Sequence, residues 1–110
     1  QRVRVRITNA SASRTSPTVK PLPDSFPRRV YITFDVDGLD SSLMPATGTP
    51  SPGGLLWYDV MKLLTRCLKG REVIGLDVVE LAPIPSLHHA DFTAAKLTHA
   101  LIGFAERSFA

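Results

Sequence analysis

Five successive β-branched or aromatic residues, Val30-Tyr31-Ile32-Thr33-Phe34, run straight into a cluster of acids, Asp35-Val36-Asp37-Gly38-Leu39-Asp40. No other stretch restricts the fold as strongly. A short, near-continuously apolar run of this kind reads as a strand, and its weak alternation suits a strand covered on both faces of a parallel sheet. Parallel partners need a crossover, and the following residues supply one. A loop over residues 41–54 is punctuated by Pro45, Gly48, Pro50, Pro52, Gly53 and Gly54. Val60, Leu63, Leu64, Cys67 and Leu68 then recur at three- and four-residue spacing, predicting a helix from Leu56 to Leu68 with Gly70 as its stop. Val73 to Glu80 reads as the second strand. After a proline-broken loop, Asp91 is placed to cap a last helix reaching Ser108, with Ala94, Leu97, Leu101 and Phe104 on one face. Strand, helix, strand, helix in this order predicts an α/β unit with a right-handed crossover. Two strands leave both sheet edges open, so the pattern calls for more sheet than these residues supply.

Residues 1–29 differ in composition. They hold seven of the thirteen basic residues and one acid, Asp24, whereas residues 30–110 carry six bases and nine acids. Arg2 to Ile7 alternate charged and apolar side chains, a period-2 pattern for an exposed strand; beyond them the segment is rich in serine and proline (Pro17, Pro21, Pro23, Pro27). Such a stretch buries too little to offset its ordering entropy, so residues 1–29 read as a linker or disordered segment preceding a domain over 30–110. The acids lie where the chain reads as folded, which excludes a globular nucleic-acid-binding domain, although the basic segment by itself would support salt-sensitive anion binding. No apolar run nears the ~20 residues of a membrane span. The single cysteine, Cys67, precludes an intrachain disulfide framework and suits a reducing compartment. The expected location is the cytoplasm; the Arg-rich, Ser-rich, acid-poor start gives a mitochondrial transit peptide as the alternative. The chain begins at Gln1, consistent with a fragment or processed product.

In open α/β sheets, ligands bind beyond the carboxyl ends of the strands. Both predicted strands end there in carboxylates: Asp35 and Asp37 on the first, Glu80 on the second. Residues two apart in extended chain share a side, so Asp35 and Asp37 are positioned to aim at one centre. Two hard oxygen donors suit Mg²⁺, Mn²⁺ or Ca²⁺. The plain alternative is turn chemistry, because aspartate at a strand end accepts bonds from nearby amides.

The wider string favours the metal. Phe34-Asp35-Val36-Asp37-Gly38-Leu39-Asp40, Pro45-Ala46-Thr47-Gly48-Thr49-Pro50, Gly53-Gly54-Leu55 and Gly75-Leu76-Asp77-Val78-Val79-Glu80 with Pro83 occur in that order. Together they closely resemble the C-terminal portion of the ureohydrolase superfamily, the arginase, agmatinase and guanidinobutyrase family of binuclear manganese hydrolases. The resemblance runs from Val30 onward. It implies an incomplete βαβα portion of a three-layer, parallel-sheet arginase-like fold. It further implies Asp35 as the aspartate bridging two Mn²⁺ ions, Asp37 as a ligand to one of them, and Glu80 as the partner of the substrate guanidinium. The implied reaction is hydrolysis of a linear guanidino compound (arginine, agmatine or a guanidino acid) to urea and an amine, in a protein that is a homo-oligomer at full length.

Departures from the family pattern matter as much. Its other ligands come from an earlier Gly-Gly-Asp-His and an Asp-Ala-His-x-Asp segment, and neither occurs in this sequence. The chain is therefore expected to carry part of the metal site and to be inactive alone; the alternative is a non-catalytic remnant acting as an oligomerisation or interaction module. Ser41 stands where the family has proline, and Leu56 where it often has a Ser or Thr helix cap. His88 and His89 read as loop residues, because adjacent side chains diverge, and His99 as a helix residue facing its packing or solvent. Strand alternation turns Asp77 away from Glu80, toward a structural hydrogen bond. Cys67 belongs to the helix's apolar face, and the Thr47–Thr49 turn lacks the Gly-Lys-Ser/Thr of a phosphate loop.

Overall fold

A computed structural model describes residues 21–108. The alternating residues 1–7, and the linker and transit-peptide readings of residues 1–20, lie outside them. The elements follow as β1 (Arg29–Asp35), a 3-10 turn (Val36–Gly38), α1 (Trp57–Cys67), β2 (Glu72–Val79) and α2 (His88–Ser108). β1 and β2 pair in parallel, from Arg29 opposite Glu72 to Asp35 opposite Val79. The expected α/β order and pairing are present.

Both helices gather on one face of this ribbon. Val60 and Leu64 of α1, Ala90, Ala94, Leu97 and Leu101 of α2, and Val36, Leu39, Met44 and Ala46 beyond β1 form one buried cluster. Ile32 and Phe34 of β1, and Leu76 and Val78 of β2, pack against it. A register shift between Val30 and Tyr31 inserts Ile74 as an extra residue. The shift lets Val73 and Leu76, three positions apart, both serve the inner face. Lys96 of α2 sits over the Trp57 ring at 5.0 Å, joining the start of α1 to the middle of α2.

Four local expectations are revised. β1 is not covered on both faces: burial alternates along it, leaving Tyr31 56% exposed, and Ile74 on β2 is 50% exposed. The reason is that the described helices cover one face only. α2 opens at His88, so Asp91 lies in its first turn instead of capping it, where the helix dipole still favours its charge. His88 and His89 consequently belong to a helix start and not to a loop. Ordered contacts also begin before Val30. Arg71 donates from Nη1 to the Phe26 carbonyl (2.9 Å) and from Nη2 to the Pro23 carbonyl (2.8 Å), and its guanidinium faces the Phe26 ring.

The two ends of α1 follow from its local sequence. Leu56, in extended conformation, has no acceptor with which to cap α1, but Asp59 Oδ2 accepts from the Leu56 amide at 3.2 Å, giving half of a capping box. After the last turn, Gly70 adopts φ +70°, which a glycine tolerates without strain. His99 is exposed, and Cys67 is half-buried on α1 with its thiol pushed up by desolvation. No described helix is long and apolar enough to cross a membrane.

Candidate metal and substrate site

The carboxylates Asp35, Asp37 and Glu80 all emerge at the carboxyl end of the β1–β2 ribbon. Asp35 is the last paired residue of β1, opposite Val79, so Glu80 is the next residue past the ladder on the adjacent strand. The charges sense one another. Partial desolvation raises the Asp35 pKa above its ordinary value; the Asp37 amide opposes this, while the Asp37 carboxyl and the negative charge of Glu80 raise it further. Crowded carboxylates of this kind favour a proton or a cation among them.

Asp35 and Asp37 do not converge by strand alternation. The chain leaves β-structure at Asp35 and turns through the 3-10 segment, with Asp35 as its cap: Asp35 Oδ1 accepts from the Asp37 amide at 3.1 Å. The turn, not the pleat, brings the second carboxylate back beside the first. Thr49, from the loop over 41–54, donates its hydroxyl to Asp37 Oδ2 at 2.9 Å.

Asp40 lies in the same motif but serves the loop. Its carboxylate accepts from the Ser42 amide (2.9 Å), the Ser42 hydroxyl and the Gly53 amide (2.7 Å), and these bonds hold its pKa below the usual aspartate range. Bridges pairing Leu39 with Leu55 and Asp40 with Ser51 close the loop's base. Gly54 permits that closure: a Cβ on it would lie 2.6 Å from the Asp40 nitrogen and the Leu39 carbonyl.

Glu80 has φ +72°, a left-handed conformation that costs a non-glycine residue of the order of 1 kcal/mol and clusters at functional sites. Two residues later the Ala82 amide donates to the Ala46 carbonyl at 2.8 Å, joining the exit of β2 to the same loop. Asp77 faces elsewhere and is structural, as its place on the strand predicts: it accepts from the Thr33 hydroxyl at 2.6 Å and the Tyr31 hydroxyl at 3.1 Å across the open sheet face.

The donor chemistry of Asp35 and Asp37 fits a hard divalent ion such as Mn²⁺. Their number does not complete a coordination shell. Among the described residues no three His, Cys, Asp or Glu side chains group closely enough to hold a metal ion, and His88, His89 and His99 are exposed on α2. Sequence reasoning picked out the acids but gave no role to Thr49 beyond its place in the Thr-Gly-Thr-Pro string, and it missed the backbone of Glu80, for which local sequence carries no signal.

A parallel ribbon with carboxylates at its strand tips and helices on its inner face is a portion of an α/β sheet of the arginase-like kind. The sequence matches the arginase family over residues 4–103, and the chain belongs to that family. The match reaches well into the basic segment, beyond the motifs from Val30 that first suggested it. An N(1)-aminopropylagmatine ureohydrolase of Thermus thermophilus is 50% identical over 76 residues, covering 69% of this chain and 26% of that protein. An agmatinase of Pyrococcus horikoshii is 40% identical over 86 residues, covering 78% and 30%. The solved agmatine ureohydrolase of Thermoplasma volcanium superposes with a TM-score of 0.62 at 39% identity, over 74% of this chain and 27% of that one. The chain thus spans about a quarter of the length of the relatives it matches.

Proposed function

We propose that this chain carries part of the site of a manganese-dependent ureohydrolase that releases urea from a linear guanidino compound. The observation that supports it best is the placement of Asp35 and Glu80 on adjacent strand tips, close enough for one carboxylate to raise the pKa of the other. In this reading Asp35 and Asp37 are the residues that would hold Mn²⁺. The metal supplies an activated water at neutral pH. Glu80 pairs with the planar guanidinium, a charge-assisted contact for which a carboxylate is well matched. Glu80 follows β2 in a left-handed backbone conformation, and Asp37 accepts a hydrogen bond from the Thr49 hydroxyl. Arginine, agmatine and guanidino acids share the guanidinium that Glu80 addresses and differ in the tail; the named activities of the relatives put agmatine and N1-aminopropylagmatine first among substrates to test.

With two of the required ligands, these 110 residues alone are expected to bind Mn²⁺ weakly and to release no urea. Assaying urea with Mn²⁺ from the natural-length polypeptide carrying this segment tests the proposal: urea from at least one guanidino substrate is expected, and none from any contradicts it.

The open sheet face, with Tyr31, Ile74 and Val79 exposed, favours a second reading. A non-catalytic chain would pair through this face with another copy, giving oligomers whose mass rises with concentration and ignores Mn²⁺. Sedimentation showing a monomer at all concentrations excludes that reading.

A further inference from the structure

The loop over 41–54 is pinned at three places: to Asp40 at its base, to β2's exit through the Ala82–Ala46 hydrogen bond, and to the acid turn through Thr49. Ala46 and Thr47 at its centre are buried, whereas Gly48, Thr49 and Pro50 are exposed at the rim. Thr49 therefore reaches Asp37 from a fixed platform, twelve residues away in sequence. Its hydroxyl hydrogen is given to Oδ2, which restricts rotation of the carboxylate and leaves the second oxygen without a bond from Thr49. A carboxylate held in this way loses less rotamer freedom on taking a cation, and bonds to the outer side of a ligand typically change metal affinity by about 10–100-fold.

We propose that Thr49 is a positioning residue for Asp37, setting the orientation in which that carboxylate takes the divalent ion. This rests on the reading of Asp37 as a Mn²⁺ ligand, and the test separates the two. Mn²⁺ affinity is measured by electron paramagnetic resonance titration of the natural-length polypeptide, as wild type, Thr49→Val, Thr49→Ser and Asp37→Asn, with metal-free thermal melts alongside. Thr49→Val is expected to weaken the affinity about tenfold while its metal-free melt stays near wild type, and Thr49→Ser, which keeps the hydroxyl, to retain it. Equal affinities for Thr49→Val and wild type, with Asp37→Asn still losing the ion, overturn the role of Thr49 and leave Asp37 a ligand. An unchanged affinity in Asp37→Asn, or no bound ion in wild type, overturns the reading beneath it as well. Should Thr49→Val fail to fold, Thr49→Ser decides, because an affinity loss of tenfold with the hydroxyl present is incompatible with the proposal.

Discussion

Asp35 closes the β1–β2 ladder opposite Val79, which leaves Glu80 as the first residue past the ladder on the neighbouring strand. That one-residue offset sets two acids from distant parts of the chain at one rim, and Glu80 reaches it through a strained backbone. On the proposed reading, function and stability are therefore opposed at this residue. Glu80→Gly relieves the left-handed strain and is expected to stabilise the fold by about 1 kcal/mol in urea denaturation, despite deleting the carboxylate. Glu80→Ala, which keeps the strain, should gain less. Equal stability of the two variants contradicts the strain.

Asp35 and Asp40 predict opposite responses to pH. Asp40 has a lowered pKa, so its contribution is present above the ordinary value of 3.8 and is lost as pH falls through the folded value. Asp35 has a raised pKa, so its ionised form opposes folding once pH rises through the folded value. In thermal melts of the metal-free chain at pH 7, Asp40→Asn should therefore lower Tm and Asp35→Asn should raise it. The Asp35 difference should fade below pH 3.8, and the Asp40 difference only as pH falls further, through its lowered folded value.

Two glycines of the motif string differ in what they tolerate. Gly54→Ala places a methyl 2.6 Å from the backbone of Leu39 and Asp40 and should cost about 1–3 kcal/mol by forcing the loop base apart. Gly38 has nothing within 4 Å of the added carbon and a negative φ, so Gly38→Ala should change stability by less than about 0.5 kcal/mol. Chemical denaturation of the two variants separates them.

Arg71 ties the chain ahead of β1 to the body through the Pro23 and Phe26 carbonyls. Arg71→Ala should speed trypsin cleavage after Arg28 about tenfold, and Arg71→Lys should restore little, because an ammonium lacks the planar fork. Unchanged cleavage would show that these bonds do not hold the segment.

Much of this was legible in the sequence. Hydrophobic spacing placed α1 and both strands within a residue or two, because Val60, Leu64, Leu76 and Val78 face the same core whose periodicity they display. The acids of the rim were legible from their position at strand ends. Other features depend on contacts between distant residues. The covering of a single sheet face follows from where the helices settle, not from the run Val30 to Phe34. The clamp of Arg71 on Phe26 joins residues 45 apart, and no local pattern announces it. Asp91 has the right chemistry for either a cap or a first-turn site, and the start of α2 at His88 places it in the first turn.

The central claim is that Asp35 and Asp37 hold metal while Glu80 holds substrate. The most direct test measures bound Mn²⁺ and urea release together in the natural-length polypeptide, comparing wild type with Asp35→Asn/Asp37→Asn, Glu80→Gln and Asp77→Asn. The account predicts loss of Mn²⁺ from the double variant. Glu80→Gln should retain Mn²⁺ but lose about 100-fold or more in urea formation, through the missing charge-assisted contact. Asp77→Asn should keep its metal and most of its activity. Full Mn²⁺ occupancy in the double variant, or wild-type urea release from Glu80→Gln, would contradict it.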